Sequence, residues 1–130
     1  MSTMRKILAC SLLVVTSLVM SSAKSYAATP FYIFAKEGRV FLGCTNCDEY
    51  DSDSLNNKYG DYGSSYSRLS IHNAYGDYGS RYSDTSACNP NARNPPIVVD
   101  GDGNIQGYLT VNHKIRAATL DPRILGACNK

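Results

Sequence analysis

The chain has 130 residues, 43% hydrophobic and 18% charged, with 13 Lys and Arg against 11 Asp and Glu. That length suits one domain, and the scattered basic residues exclude a polybasic surface for nucleic acid or anionic lipid. Five cysteines, ten tyrosines and no tryptophan predict a thin core whose aromatic area comes from tyrosine and whose stability needs covalent staples.

In chain order, Arg5 and Lys6 precede an apolar run from Ile7 to Met20, and Ser25-Tyr26-Ala27 supplies small residues at the cleavage-defining positions. This is the pattern of a secretory signal peptide. The run of fourteen residues would span only ~21 Å as a helix, short of the ~30 Å hydrocarbon core. A lipoprotein signal fails on order, because the apolar run follows Cys10 instead of preceding it. Residues 1–27 are therefore expected to be removed, leaving a single small domain, 28–130, exported to the periplasm or secreted and without membrane attachment. Arg5, Lys6 and Lys24 go with the leader, so ten basic side chains remain against eleven acidic ones.

Within that domain the pattern predicts a mainly β fold. Phe31-Tyr32-Ile33-Phe34 and Val40-Phe41-Leu42, separated by Lys36-Glu37-Gly38-Arg39, read as a β-hairpin over 28–43. Ile97-Val98-Val99 and Ile105 to Val111, separated by Asp100-Gly-Asp-Gly-Asn104, read as a second hairpin over 97–112. The two hairpins bracket a turn-rich repeat array, 44–96. The tail, 113–130, is predicted to hold one helical turn from Asp121-Pro122 to Leu125, stopped at Gly126.

Tyr50–Ser65 and Tyr66–Arg81 are copies of one sixteen-residue Tyr/Gly/Ser/Asn phrase, identical at nine positions, and a third, decaying copy begins at Tyr82. Fixed-period self-similarity marks one supersecondary unit used repeatedly. Tyr59-Gly-Asp-Tyr-Gly-Ser64 and Tyr75-Gly-Asp-Tyr-Gly-Ser80 carry too many glycines for a stable helix, so turns and short extended pieces are expected. Serine and asparagine at equivalent places, Ser54, Ser70, Ser86 and Asn57, Asn73, Asn89, are suited to closing turns onto the backbone. The unit-opening tyrosines, Tyr50, Tyr66 and Tyr82, are expected to form a buried ladder. The glycine-flanked ones, Tyr59, Tyr62, Tyr75 and Tyr78, are expected to be accessible and to contact a protein or cell-envelope glycan, because Tyr combines an apolar ring with a polar tip.

Cys44, Cys47, Cys88 and Cys128 remain after processing, an even number in an exported chain, and three disulfide pairings are open. The alternative function is a metal-binding or redox protein built on Cys44-Thr-Asn-Cys47. For zinc it lacks a second closely spaced ligand pair, and for redox work Asp48, Glu49, Asp51 and Asp53 oppose a thiolate. Asp100, Asp102 and Asn104 match the start of a calcium loop, but Ile105 stands where the turn glycine belongs and Val111 where the bidentate glutamate belongs. His72 and His113 are the two histidines, and no serine lies in a strand–elbow–helix motif, so a hydrolase has no assignable catalytic residue. No cofactor is implied.

Gly60 to Asn73 and Pro95 to Asn112 resemble segments of small uncharacterised bacterial proteins with YGxYGSxYSxxSIxN repeats and a PPxIVDxDGNxxGYLTVN segment. The resemblance runs from about Val40 to Asn112. It implies a bacterial origin and brings no activity.

Overall fold

The computed structural model describes residues 29–129, so the expected leader, 1–27, and its expected cleavage site lie outside the described residues. Five strands, β1 (Phe31–Ala35), β2 (Val40–Cys44), β3 (Ile97–Asp100), β4 (Ile105–Leu109) and β5 (Thr119–Leu120), form one sheet in the order β2-β1-β3-β4-β5. The β1–β2, β1–β3 and β3–β4 pairs are antiparallel and β4–β5 is parallel. The strands on either side of the array are thus one mixed sheet, zipped between Phe31↔Asp100 and Phe34↔Ile97, with a fifth strand that the sequence does not announce. The tail turn forms as Pro122–Leu125, capped by Asp121 and ended by Gly126 at φ 81°.

Alternation along β1 sends Ile33 and Ala35 into the core, where Leu42, Val98 and Leu109 join them. Leu42 reaches it through a bulge: Ile33 pairs with Gly43 and Phe34 with Phe41, leaving Leu42 as the extra, fully buried residue. Leu55, Ile71 and Ala87, equivalent residues of the three copies, fill the core from the array side.

The array is a chain of tight turns. In the first copy the N–H of Asp51 donates to Asp48 O, Ser54 to Asp51 O, Asn57 to Ser54 O, Gly60 to Asn57 O and Ser64 to Gly60 O. Four three-residue steps and one four-residue step account for the period of sixteen. Each three-residue step begins on a residue with a side-chain oxygen, which accepts the N–H two residues on: Asp48 from Tyr50, Asp51 from Asp53, Ser54 from Asn56, Asn57 from Tyr59. Ser64, Ser67, Ser70 and Asn73 repeat the pattern, as do Ser80, Ser83, Ser86 and Asn89. Such local bonds give the backbone an alternative to helix or sheet, which is why a stretch rich in Ser, Asp and Asn settles into turns.

Both ends of the array are covered by the sheet. Cys44 at the end of β2 donates to Asp53 O and accepts from Leu55 N–H, while Val111, just beyond β4, donates to Ala87 O. Between copies, His72 Nε2 lies 3.0 Å from Leu55 O, and Cys88 Sγ takes the equivalent place against Ile71 O. Cys44 bonds Cys47, and Cys88 bonds Cys128. The first disulfide sits where the array starts and the second ties its last copy to the chain end. Among the described residues no helix is long and apolar enough to cross a membrane.

Candidate functional site

The three-residue step decides which tyrosines reach solvent. Tyr50 and Tyr59, like Tyr66 and Tyr75, are nine residues apart, and each stands two residues after the side chain that opens its turn. They emerge in the same phase. Tyr50, Tyr59, Tyr66, Tyr75 and Tyr82 are 85%, 87%, 93%, 98% and 91% exposed. The unit-opening tyrosines are therefore not a buried ladder; they are exposed at one repeated place, one column, and Tyr59 and Tyr75 are exposed at a second.

The four-residue step then shifts the phase. Tyr62 and Tyr78 lie inside it, between Gly60 and Ser64 and between Gly76 and Ser80, and turn inward. Tyr78 is buried, and Tyr62 is half-buried with its ring 5.0 Å from that of Phe41, edge to face. Burial, followed by the charges of Asp53 and Asp61, pushes the Tyr62 hydroxyl above its ordinary value. Of the four tyrosines expected to be accessible, Tyr59 and Tyr75 are, and Tyr62 and Tyr78 belong to packing. Glycine beside a ring does not signal access here. Gly63 and Gly79 are required because a Cβ would sit 2.0 Å from Asn57 O and 2.4 Å from Asn73 O.

One asparagine in each copy joins the two columns. Asn73 Nδ2 donates to the carbonyl of Ser67, the residue after Tyr66, and its Oδ1 accepts the N–H of Tyr75. Asn57 does the same for Tyr50 and Tyr59 through Asp51 O. In the third copy Asn89 binds Ser83 O and the N–H of Asn91, which stands where a tyrosine would be. The rings are thus presented from backbone that is fixed on both sides.

Charge beside these rings is acidic. Within two residues of the five tyrosines stand Asp48, Glu49, Asp51, Asp61, Asp77 and Asp84 against Lys58, Arg68 and Arg81. Lys58 Nζ lies 5.3 Å from the centroid of its neighbour Tyr59, a cation–π contact that leaves Tyr66, Tyr75 and Tyr82 as the less encumbered rings.

The other sequence candidates have structural work. Asp100 accepts the N–H groups of Asp102 and Asn104 on one oxygen and the side-chain amides of Asn104 and Gln106 on the other, so it pins the β3–β4 turn. Ser54, Ser70 and Ser86 are buried turn residues, His72 bridges two copies, and His113 is exposed. The four cysteines among the described residues are in disulfides, which leaves no thiolate there for a metal ion, and these residues hold no group of three or more His, Cys, Asp or Glu placed to bind one. No protein family matches the chain, and no curated protein or solved structure is similar to it.

Proposed function

We propose that the protein is a small exported binding module whose tyrosine columns take up a cell-envelope glycan. The carrying observation is that five tyrosines, each at least 85% exposed, stand at repeated stations held by Asn57, Asn73 and Asn89. A tyrosine ring in solvent adds nothing to the core, and aromatic rings exposed at every repeat of a small domain suit an interaction site. Sugar rings suit it: their C–H faces stack on the phenol while the hydroxyl at its tip exchanges hydrogen bonds. The acidic side chains beside the rings favour an uncharged sugar backbone over a polyanion. Two disulfides fit an oxidising compartment, in keeping with the leader read from the sequence.

Co-sedimentation with purified peptidoglycan sacculi tests this reading. Retention in the pellet, reversed by soluble fragments of the same glycan, supports it. Retention only when envelope proteins are left on the sacculi would assign the face to a protein partner instead.

A further inference from the structure

We propose a second binding site, for a small anionic amphiphile such as an aliphatic carboxylate, in the hollow between the Lys36–Arg39 turn and the last copy of the array. The hollow measures about 390 Å³ and uses none of the exposed tyrosine columns. That volume lies in the range of small-ligand sites, which pair an apolar lining with a few placed polar groups.

Its floor is apolar. Ile97 and Tyr108 are cross-strand partners on β3 and β4, and Ile105 beside them is 67% exposed and open to a ligand. Its rim is cationic: Lys36, Arg39 and Arg93 line the hollow against one acid, Glu37. The ion pairs among the described residues are Arg93–Asp84 and Arg123–Asp121, so Asp84 offsets Arg93, while Lys36 and Arg39 enter no ion pair and outnumber Glu37 on the rim.

The cations are also positioned. Arg39 Nε donates to Lys36 O, and Asp84 accepts from the backbone N–H and Nε of Arg93. Lys36 and Glu37 hold left-handed backbone, φ 52° and 58°, which glycine or asparagine would adopt with less strain. Chain reversal alone does not call for charged residues there. Backbone strain retained at such a place points to a use for the side chains. An apolar floor under a net cationic rim selects a ligand that has both a hydrocarbon or ring body and a negative head. A neutral analogue forfeits the rim, and a bare inorganic anion forfeits the floor.

Calorimetric titration of the oxidised protein with octanoate, with octan-1-ol as the neutral control, tests the site. Octanoate should bind at least tenfold more tightly than octanol and weaken as salt is raised, since exposed charges are screened. The double variant K36Q/R39Q should lose at least tenfold in octanoate affinity, Glu37→Gln should gain severalfold, and Ile105→Ser should weaken octanoate. The substituted turn residues are exposed, so unchanged melting curves will certify the fold. Equal affinity for octanol and octanoate, unchanged binding in K36Q/R39Q, or no octanoate binding at low millimolar concentration would overturn the proposal.

Discussion

Asn73 Nδ2 donates to the carbonyl of Ser67 across 3.0 Å, while the same side chain receives the Tyr75 N–H on its oxygen. This side chain closes a turn and sets the spacing of Tyr66 and Tyr75, so the array's stability and its presented face share one cause. Asn73→Ala removes both bonds at a buried site, and the expected loss is about 2 kcal/mol, since buried backbone groups left without partners cost about 1 to 3 kcal/mol. Urea unfolding measures it. A loss below about 0.5 kcal/mol, the level of an ordinary surface change, would show that the turn chain does not depend on the amide.

Gly79→Ala should be severely destabilising because the added carbon would lie 2.4 Å from Asn73 O and 2.5 Å from Ile71 O, both backbone atoms. Gly101→Ala is its control, with Thr29 Cγ2 as the nearest atom at 3.7 Å. The expected difference exceeds about 2 kcal/mol, in line with overpacking of closely packed sites. Similar melting temperatures for the two variants would mean that the four-residue step is looser than described.

Stability should fall at both extremes of pH. Asp84, Asp100 and Asp121 are held below the ordinary carboxylate range, led by the Arg93 N–H, the Asn104 N–H and the Arg123 side chain respectively. A depressed folded-state value contributes stability that is present above the unfolded value, near 4, and lost as pH falls through the folded one. Tyr62 is the reverse case: its raised value contributes stability below about pH 10 that is lost as pH climbs beyond it. Melting temperature should drop below about pH 4, and the alkaline drop should be smaller in Tyr62→Phe. A Tyr62→Phe alkaline limb identical to that of the parent would contradict the assignment.

The two disulfides should contribute unequally. Cys88 and Cys128 are separated by 40 residues and close a long loop, worth about 4 kcal/mol in the chain-entropy account, whereas Cys44 and Cys47 are separated by 3 and close almost none. The double substitution C88S/C128S should therefore lower the melting temperature far more than C44S/C47S. Equal effects would place the first disulfide's value in local geometry instead of loop closure.

Much of this architecture was written in local sequence. β-branched and aromatic runs marked β1 to β4, Asp121 and Gly126 marked both ends of the tail turn, and Ser, Asp or Asn at every third position from Asp48 to Asn57 marked the turn chain. Pairing of β1 with β3 left no such mark, because it joins residues more than sixty positions apart through ordinary strand surfaces. Disulfide connectivity was equally silent, since the four cysteines permit three pairings. Neighbouring glycines do not reveal which tyrosines reach solvent, since Tyr59 and Tyr62 each precede one and only Tyr59 is exposed. The nine-residue spacing of Tyr50 from Tyr59, and of Tyr66 from Tyr75, spans three turns and gives each tyrosine the same place in its own turn.

The central claim is that the exposed columns bind while the inward tyrosines hold the fold. Its most direct test is quantitative co-sedimentation with peptidoglycan sacculi of the triple variant Y66S/Y75S/Y82S, accompanied by thermal melting and by Tyr78→Ala. The account predicts that the triple variant loses at least tenfold in retention with its melting temperature nearly unchanged, because surface substitutions rarely exceed about 0.5 kcal/mol. Tyr78→Ala should instead lose about 3 kcal/mol or more of stability, as buried aromatic truncations do. Parental retention by the triple variant, with the parent protein itself pelleting, would contradict it.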